Sequence, residues 1–217
     1  MRVSVNLAAP WRRMRATRDG RLGLSSASLV VALLFTVTVA CRPTSSLPVL
    51  FPAPDFSLTD QDGRPFSASD LAGRVVLADF VYTTCTDICP LISGTVSQVR
   101  NELRAANLLG GKVALVSFGV DPDHDTPDVL RTYGGHYGAV SSEWRFLTGD
   151  RADVEDLLVI GFKLGRPFRG TRPDGGTELV HTGRVVLIDA RGQVRAFYDG
   201  QSLDVQAVVQ EIRRLAA

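Results

Sequence analysis

Val81-Tyr82-Thr83-Thr84-Cys85-Thr86-Asp87-Ile88-Cys89-Pro90 is the stretch whose reading decides the fold. The apolar run Arg74-Val75-Val76-Leu77-Ala78-Asp79-Phe80 before it reads as a buried strand. After it, Leu91, Ile92, Thr95, Val99 and Leu103 recur at helical spacing up to Ala106. Pro90 suits the first turn of that helix, where its missing N–H costs nothing and its fixed φ helps. Two of the chain's three cysteines therefore sit on a strand-to-helix turn. A helix N-terminus stabilises a thiolate, and the thiolate is both nucleophile and metal ligand. Four-residue spacing on a helical turn separates the two Cα atoms by about 6 Å, inside the range a disulfide spans. The pair can close as a disulfide or open as two soft ligands. The bland alternative, two small buried hydrophobes, fits poorly with two cysteines in one turn before a helix-starting proline.

Working outward, Phe56-Ser57-Leu58-Thr59 and Arg64-Pro65-Phe66-Ser67 flank Asp60-Gln61-Asp62-Gly63 and predict an N-terminal hairpin. Beyond the cysteine helix, Lys112 to Val120 reads as a second buried strand. Asp125, Thr126 and Pro127 read as the capped start of a helix running to about His136. Trp144 to Leu147 predicts a short strand and Asp153 to Ile160 a helix. Gly161 to Thr177, rich in Gly, Pro and Arg, reads as an irregular or hairpin excursion inserted in the domain. Arg184 to Asp189 and Gln193 to Tyr198 form a strand pair around Ala190-Arg191-Gly192. Ser202 to Ala216 closes as a helix with Val205, Val208, Val209, Ile212 and Leu215 on one face. A βαβ unit first and a ββα unit last predict an α/β fold, a thioredoxin-like three-layer α/β/α domain.

The chain has 217 residues and a formal charge of +1, but the charge is split. Residues 1–41 carry six Arg and one Asp, and the remainder is mildly acidic. Nothing in this pattern suggests nucleic-acid binding. Arg2, Arg12, Arg13, Arg15, Arg18 and Arg21 precede the apolar segment Leu29 to Ala40, and Cys41 follows at once. This resembles a bacterial lipoprotein signal in which Cys41 is acylated, although Thr38 replaces the usual leucine three positions earlier. An uncleaved membrane anchor starting near Leu22 and plain secretion are the alternatives. Each places the domain outside the cytoplasm, in the bacterial cell envelope facing the periplasm or exterior. Residues 1–41 are thus expected to be a signal or anchor, 42–54 a linker holding four prolines, and 55–217 the domain. Lipidation of Cys41 would leave Cys85 and Cys89 as a private pair.

Three blocks carry a resemblance to the Sco/SenC family of copper-handling, thioredoxin-like proteins. They are Asp79 to Pro90, then Ser117-Phe118-Gly119-Val120-Asp121-Pro122-Asp123-His124-Asp125-Thr126-Pro127, then His181-Thr182-Gly183. The resemblance spans about Phe51 to the C-terminus and implies that the start of the Arg184–Asp189 strand lies beside the cysteine turn. His181 then joins Cys85 and Cys89 as a Cys₂His set for copper. Thiolates favour Cu(I), and imidazole helps to hold Cu(II). Zinc is the alternative for the same ligands, but structural zinc takes a fourth protein ligand, and none is evident. Asp87, between the cysteines, and Asp121, after a core strand, are candidates to orient the site. His124 and His136 read as surface histidines. Arg166, Arg169 and Arg172 form either a docking patch or a solvated loop.

The resemblance implies a membrane-tethered copper metallochaperone for the binuclear copper site of cytochrome c oxidase subunit II. A second periplasmic copper chaperone or a thiol reductant would be its other partner. The rival is a thiol-disulfide reductase or redox sensor acting on the oxidase's cysteines, in which Cys85 and Cys89 are the redox-active pair and His181 is incidental. A peroxiredoxin-like role fits less well, because the turn lacks the expected companions of a peroxidatic cysteine.

Overall fold

The computed structural model describes residues 47–171, 177–180 and 182–217. Its strands and helices are, in chain order, β1 (Phe51–Pro52), β2 (Ser57–Asp60), β3 (Pro65–Ser67), β4 (Val75–Val81), α1 (Ile88–Ala105), β5 (Val113–Gly119), α2 (Pro127–His136), β6 (Trp144–Thr148), α3 (Arg151–Asp156), β7 (Phe168–Thr171), β8 (Thr177–Val180), β9 (Arg184–Ile188), β10 (Gln193–Asp199) and α4 (Val205–Leu215). Eight strands form one sheet in the order β1-β10-β9-β4-β5-β6-β2-β3. β4, β5 and β6 run parallel, with α1 and α2 as the crossovers. β9 lies antiparallel on the other side of β4, with Val76 opposite Ile188 and Asp79 opposite Val185. The α/β layering read from the sequence is the observed one.

Alternation along the central strands divides the core. Val75, Leu77 and Val81 of β4 face a cluster with Ile92, Val96, Val99 and Leu103 of α1, Leu130 of α2 and Val208, Val209 and Ile212 of α4. Val76, Ala78 and Phe80 face the opposite cluster, which includes Phe66, Phe118, Val154, Leu157, Leu158 and Phe162. All seven residues of β4 and of β5 are buried, as a strand covered on both faces requires. Gly134 lets α2 press on the sheet, since a Cβ there would stand 2.7 Å from the Phe146 ring.

Several details depart from the sequence reading. α1 starts at Ile88, so Cys89 lies inside its first turn. Leu91, expected on the buried face, is 58% exposed, because Cys89, Ile92, Val96 and Val99 carry that face. Asp125 does not cap α2; Thr126 does, its hydroxyl accepting from Val129 N–H. α3 is followed by a wider turn, Leu157–Gly161, where Phe162 N–H reaches the Leu157 carbonyl five residues back. The excursion after Gly161 contains the β7–β8 hairpin, a two-stranded sheet separate from the main one.

The stretch read as a linker is ordered over its described part. β1 pairs with the edge of β10. Arg195 donates to the Leu47 and Pro48 carbonyls while pairing with Asp189 at 2.8 Å. Within the described residues the packed body therefore begins near Leu47 rather than Asp55. Residues 1–46, including Cys41, the apolar segment 29–40 and the signal or anchor reading, lie outside the described residues. No helix among the described residues is long and apolar enough to cross a membrane.

Candidate metal centre

β4 delivers the cysteine turn at the carboxyl edge of the parallel strands, where α/β sheets place their sites. Tyr82 is still buried, and its carbonyl accepts the Cys85 N–H at 3.1 Å, closing the chain into a turn. Asp87 then occupies the cap position of α1 without a capping side-chain bond, and it is solvent-exposed. The Cys89 N–H points back at the Cys85 sulfur, 3.4 Å away. One of the otherwise unpaired donors of the helix N-terminus is thus aimed at sulfur, which favours negative charge there.

Both cysteines are buried thiols and are not joined in a disulfide. They differ in access: Cys85 is 7% exposed and Cys89 is 0% exposed. The Cys89 thiol is pushed strongly upward in pKa. Its hydrogen bond to Cys85 is the main cause, followed by burial, with the nearby charges of Cys85 and Asp79 adding to it. Of the two, Cys85 is the one that retains some contact with solvent.

Asp79 sits in an apolar run, and nothing in the sequence around it signals a role at the site. By alternation it shares the α1-facing side of β4 with Leu77 and Val81. It is 1% exposed. One oxygen accepts from the Ser117 hydroxyl, which accepts from the Trp144 indole N–H at 2.9 Å. The other oxygen has no hydrogen-bond partner. Burial raises the carboxyl to about 7, against the opposing pull of the Ser117 hydrogen bond.

Asp125 is the second residue that the sequence did not reveal as part of the site. It is fully buried and accepts from the Thr83 hydroxyl at 2.6 Å and the Thr83 N–H at 3.1 Å. An Asp before a Thr-Pro helix start carries the same signal whether it caps the helix or reaches another strand. Asp121 lies on the same loop, 5% exposed, with Arg169 at 3.5 Å and Arg151 at 3.8 Å. Arg166 pairs with Glu155. Two of the three arginines offered as a docking patch are thus engaged with carboxylates of this chain, and Arg172 lies outside the described residues. His124 and His136 are exposed. An open cavity of about 410 Å³ beside the turn is lined by Thr83, Asp128, Val129, Thr132, Tyr133 and His136. A larger one, about 510 Å³, is lined by residues such as Val76, Phe118 and Ile188 and includes no residue of the cysteine turn.

His181 lies outside the described residues. Gly183, two positions on in sequence, is described: a Cβ on it would stand 3.5 Å from the Ile88 side chain in the first turn of α1. Its carbonyl accepts the Gly200 N–H at 2.8 Å. The β4–β9 register likewise brings the chain into β9 from the end of the sheet that bears the cysteines. Among the described residues no three His, Cys, Asp or Glu side chains gather as a metal site.

Comparison with known proteins agrees with this fold. The SCO1/SenC family model matches residues 51–217. A "putative copper-binding protein" of Stutzerimonas stutzeri is 33% identical over 143 residues, covering 65% of this chain and 66% of that protein. The crystal structure of a SCO1/SenC family lipoprotein from Bacillus anthracis superposes with a TM-score of 0.67 at 29% identity, covering 77% of this chain and 96% of that one. BsSco, described as a member of the Sco family of cytochrome c oxidase assembly proteins with a disulfide switch, superposes with a TM-score of 0.66 at 27% identity, covering 78% and 96%. With the thioredoxin-like layers, the cysteine turn and the matching span all in place, this chain belongs to the SCO1/SenC family.

Proposed function

We propose that the protein is a copper metallochaperone that carries one copper ion on Cys85, Cys89 and His181 and serves assembly of the binuclear copper site in cytochrome c oxidase subunit II. The observation that carries this reading is the cysteine turn: two buried sulfurs one helical turn apart, with a helix N–H donated to one of them. Such a pair suits a soft ion, and loading it releases the Cys89 proton. The copper-binding relative and the oxidase-assembly relative support the cargo and the destination. Asp87 and Asp121 are proposed to orient the site. Asp121 does so through its arginines; Asp87 is free to meet a partner's ligand. We place the chain in the bacterial envelope, tethered through an acylated Cys41, in keeping with its lipoprotein neighbour.

The second reading is thiol-disulfide exchange. The unequal burial of the two cysteines favours it, since Cys85, at 7% exposure, and the fully buried Cys89 match the order of an attacking and a resolving thiol. Copper titration of the reduced protein, with metal analysis and spectroscopy, tests the choice. One copper per chain is expected. In His181→Ala, Cu(II) binding should collapse while Cu(I) binding weakens less and the cysteines still form and release a disulfide. If oxidase assembly survives His181→Ala but fails without either cysteine, the exchange reading replaces the copper one.

A further inference from the structure

We propose that the loop leaving β5, residues 121–125, is a two-armed brace in which Asp125 holds the cysteine turn and Asp121 holds the β7–β8 hairpin. The two carboxylates are positioning residues. The purpose of the positioning rests on the copper reading above; the brace itself does not.

The loop is rigidly founded. Val120 N–H donates to the Val81 carbonyl at 2.8 Å, tying its start to the last residue of β4. The Asp121 carbonyl accepts from both His124 N–H, at 2.9 Å, and Asp125 N–H, at 2.8 Å, so the loop closes on itself. From this base Asp125 projects inward, fully buried. No Lys or Arg among the described residues pairs with it. Its hydrogen bonds come from Thr83, two residues before Cys85. A buried carboxylate is tolerated only when hydrogen-bonded, so moving the turn away would strand it. That coupling gives the turn one seat.

The second arm reaches the other way. β7–β8 shares no ladder with the eight-stranded sheet, so side chains must decide where it sits. Arg169 of β7 meets the 93%-buried carboxylate of Asp121 at 3.5 Å. Arg151, at 3.8 Å, adds charge and is itself paired with Asp123. In sequence β8 ends at Val180, immediately before His181. One short loop thus sets both the cysteine turn and the hairpin that leads to the proposed third ligand.

Hydrogen exchange of the full, reduced, metal-free chain tests the brace. Asp125→Ala should speed exchange of the amides at 82–89 by about tenfold, the loss expected for a charge-assisted hydrogen bond. The hairpin amides should not change. Asp125→Asn, which keeps an acceptor oxygen, should restore most of the protection. Thr83→Val, at a half-buried position, should give the same loosening to a smaller extent and guards against an unfolded Asp125→Ala. Arg169→Gln and Asp121→Asn should loosen residues 168–171 and 177–180 and leave the turn protected. Unchanged exchange in the targeted segment, or equal loosening of both segments in every variant, would overturn the brace. Copper titration of the same variants tests the other reading separately. Loosened segments with undiminished copper binding would uphold the brace, whereas undiminished binding in Cys85→Ser with the brace intact would count against the metal set.

Discussion

Replacing Asp79 by Asn should make the protein more stable in mild alkali and change how stability varies with pH. The carboxyl ordinarily titrates near 3.8 and is raised to about 7 in the fold, because burial penalises its charged form more than the Ser117 hydroxyl favours it. A raised carboxyl means that the folded state holds the proton more tightly than the unfolded chain. Its favourable contribution is therefore complete below about pH 4, declines as pH rises through about 7, and is gone above that. The interval between the two values, at about 1.4 kcal/mol per pH unit, corresponds to about 4 kcal/mol in full. About 2.5 kcal/mol of it falls between pH 5 and pH 8. Asn is nearly isosteric and does not titrate. Its oxygen can keep the Ser117 hydrogen bond, but its N–H₂ points where the second carboxylate oxygen has no partner. That costs about 1–3 kcal/mol at every pH. The variant should therefore be equal to or weaker than the parent near pH 5, and stronger by about 1–3 kcal/mol near pH 8. Denaturant titrations of the reduced chain at both pH values measure the difference. A gap between variant and parent that does not change with pH would refute the argument, as would an Asn variant that is weaker at pH 8. The same substitution removes a charge that raises the Cys89 thiol, so alkylation of Cys89 should begin at lower pH.

Alkylation should also discriminate between the cysteines. Cys85 reacts first and Cys89 much more slowly, as peptide mapping after a short iodoacetamide pulse would show. The Cys85–Cys89 disulfide form should lose tight copper binding, and bound copper should slow alkylation of both; equal copper affinity in oxidised and reduced protein would show that these sulfurs are not ligands. Mass spectrometry of the membrane-extracted protein should find a mature chain beginning at a diacylated Cys41, and an intact chain beginning at Met1 would point to a membrane anchor instead. Leu103→Ala, at a fully buried position on α1, should cost about 2–5 kcal/mol in a denaturant titration without altering the cysteines' reactivity order.

What the sequence determined by itself was whatever depends on neighbours along the chain. The apolar runs 75–80 and 113–119 had to be strands covered on both faces, because no polar side of them could meet water. Pro90 and the helical spacing behind it placed both cysteines at a helix N-terminus. The N-terminal hairpin was legible from Asp60-Gln61-Asp62-Gly63, and the closing helix from its apolar stripe. Three motif blocks in order were enough for the family. Only the tertiary structure could decide matters that turn on residues far apart in the chain. Nothing near Asp125 says that it reaches 42 positions back to Thr83 instead of capping its own helix. Nothing near Asp79 says that its neighbours are Ser117 and Trp144. Leu91 looks as apolar as Ile92, yet the phase of α1 against the sheet turns one outward and the other inward. Local propensity sets which elements form. The pKa, exposure and partner of a buried side chain are set by what the packed sheet and helices bring against it, and that is a property of the closed fold.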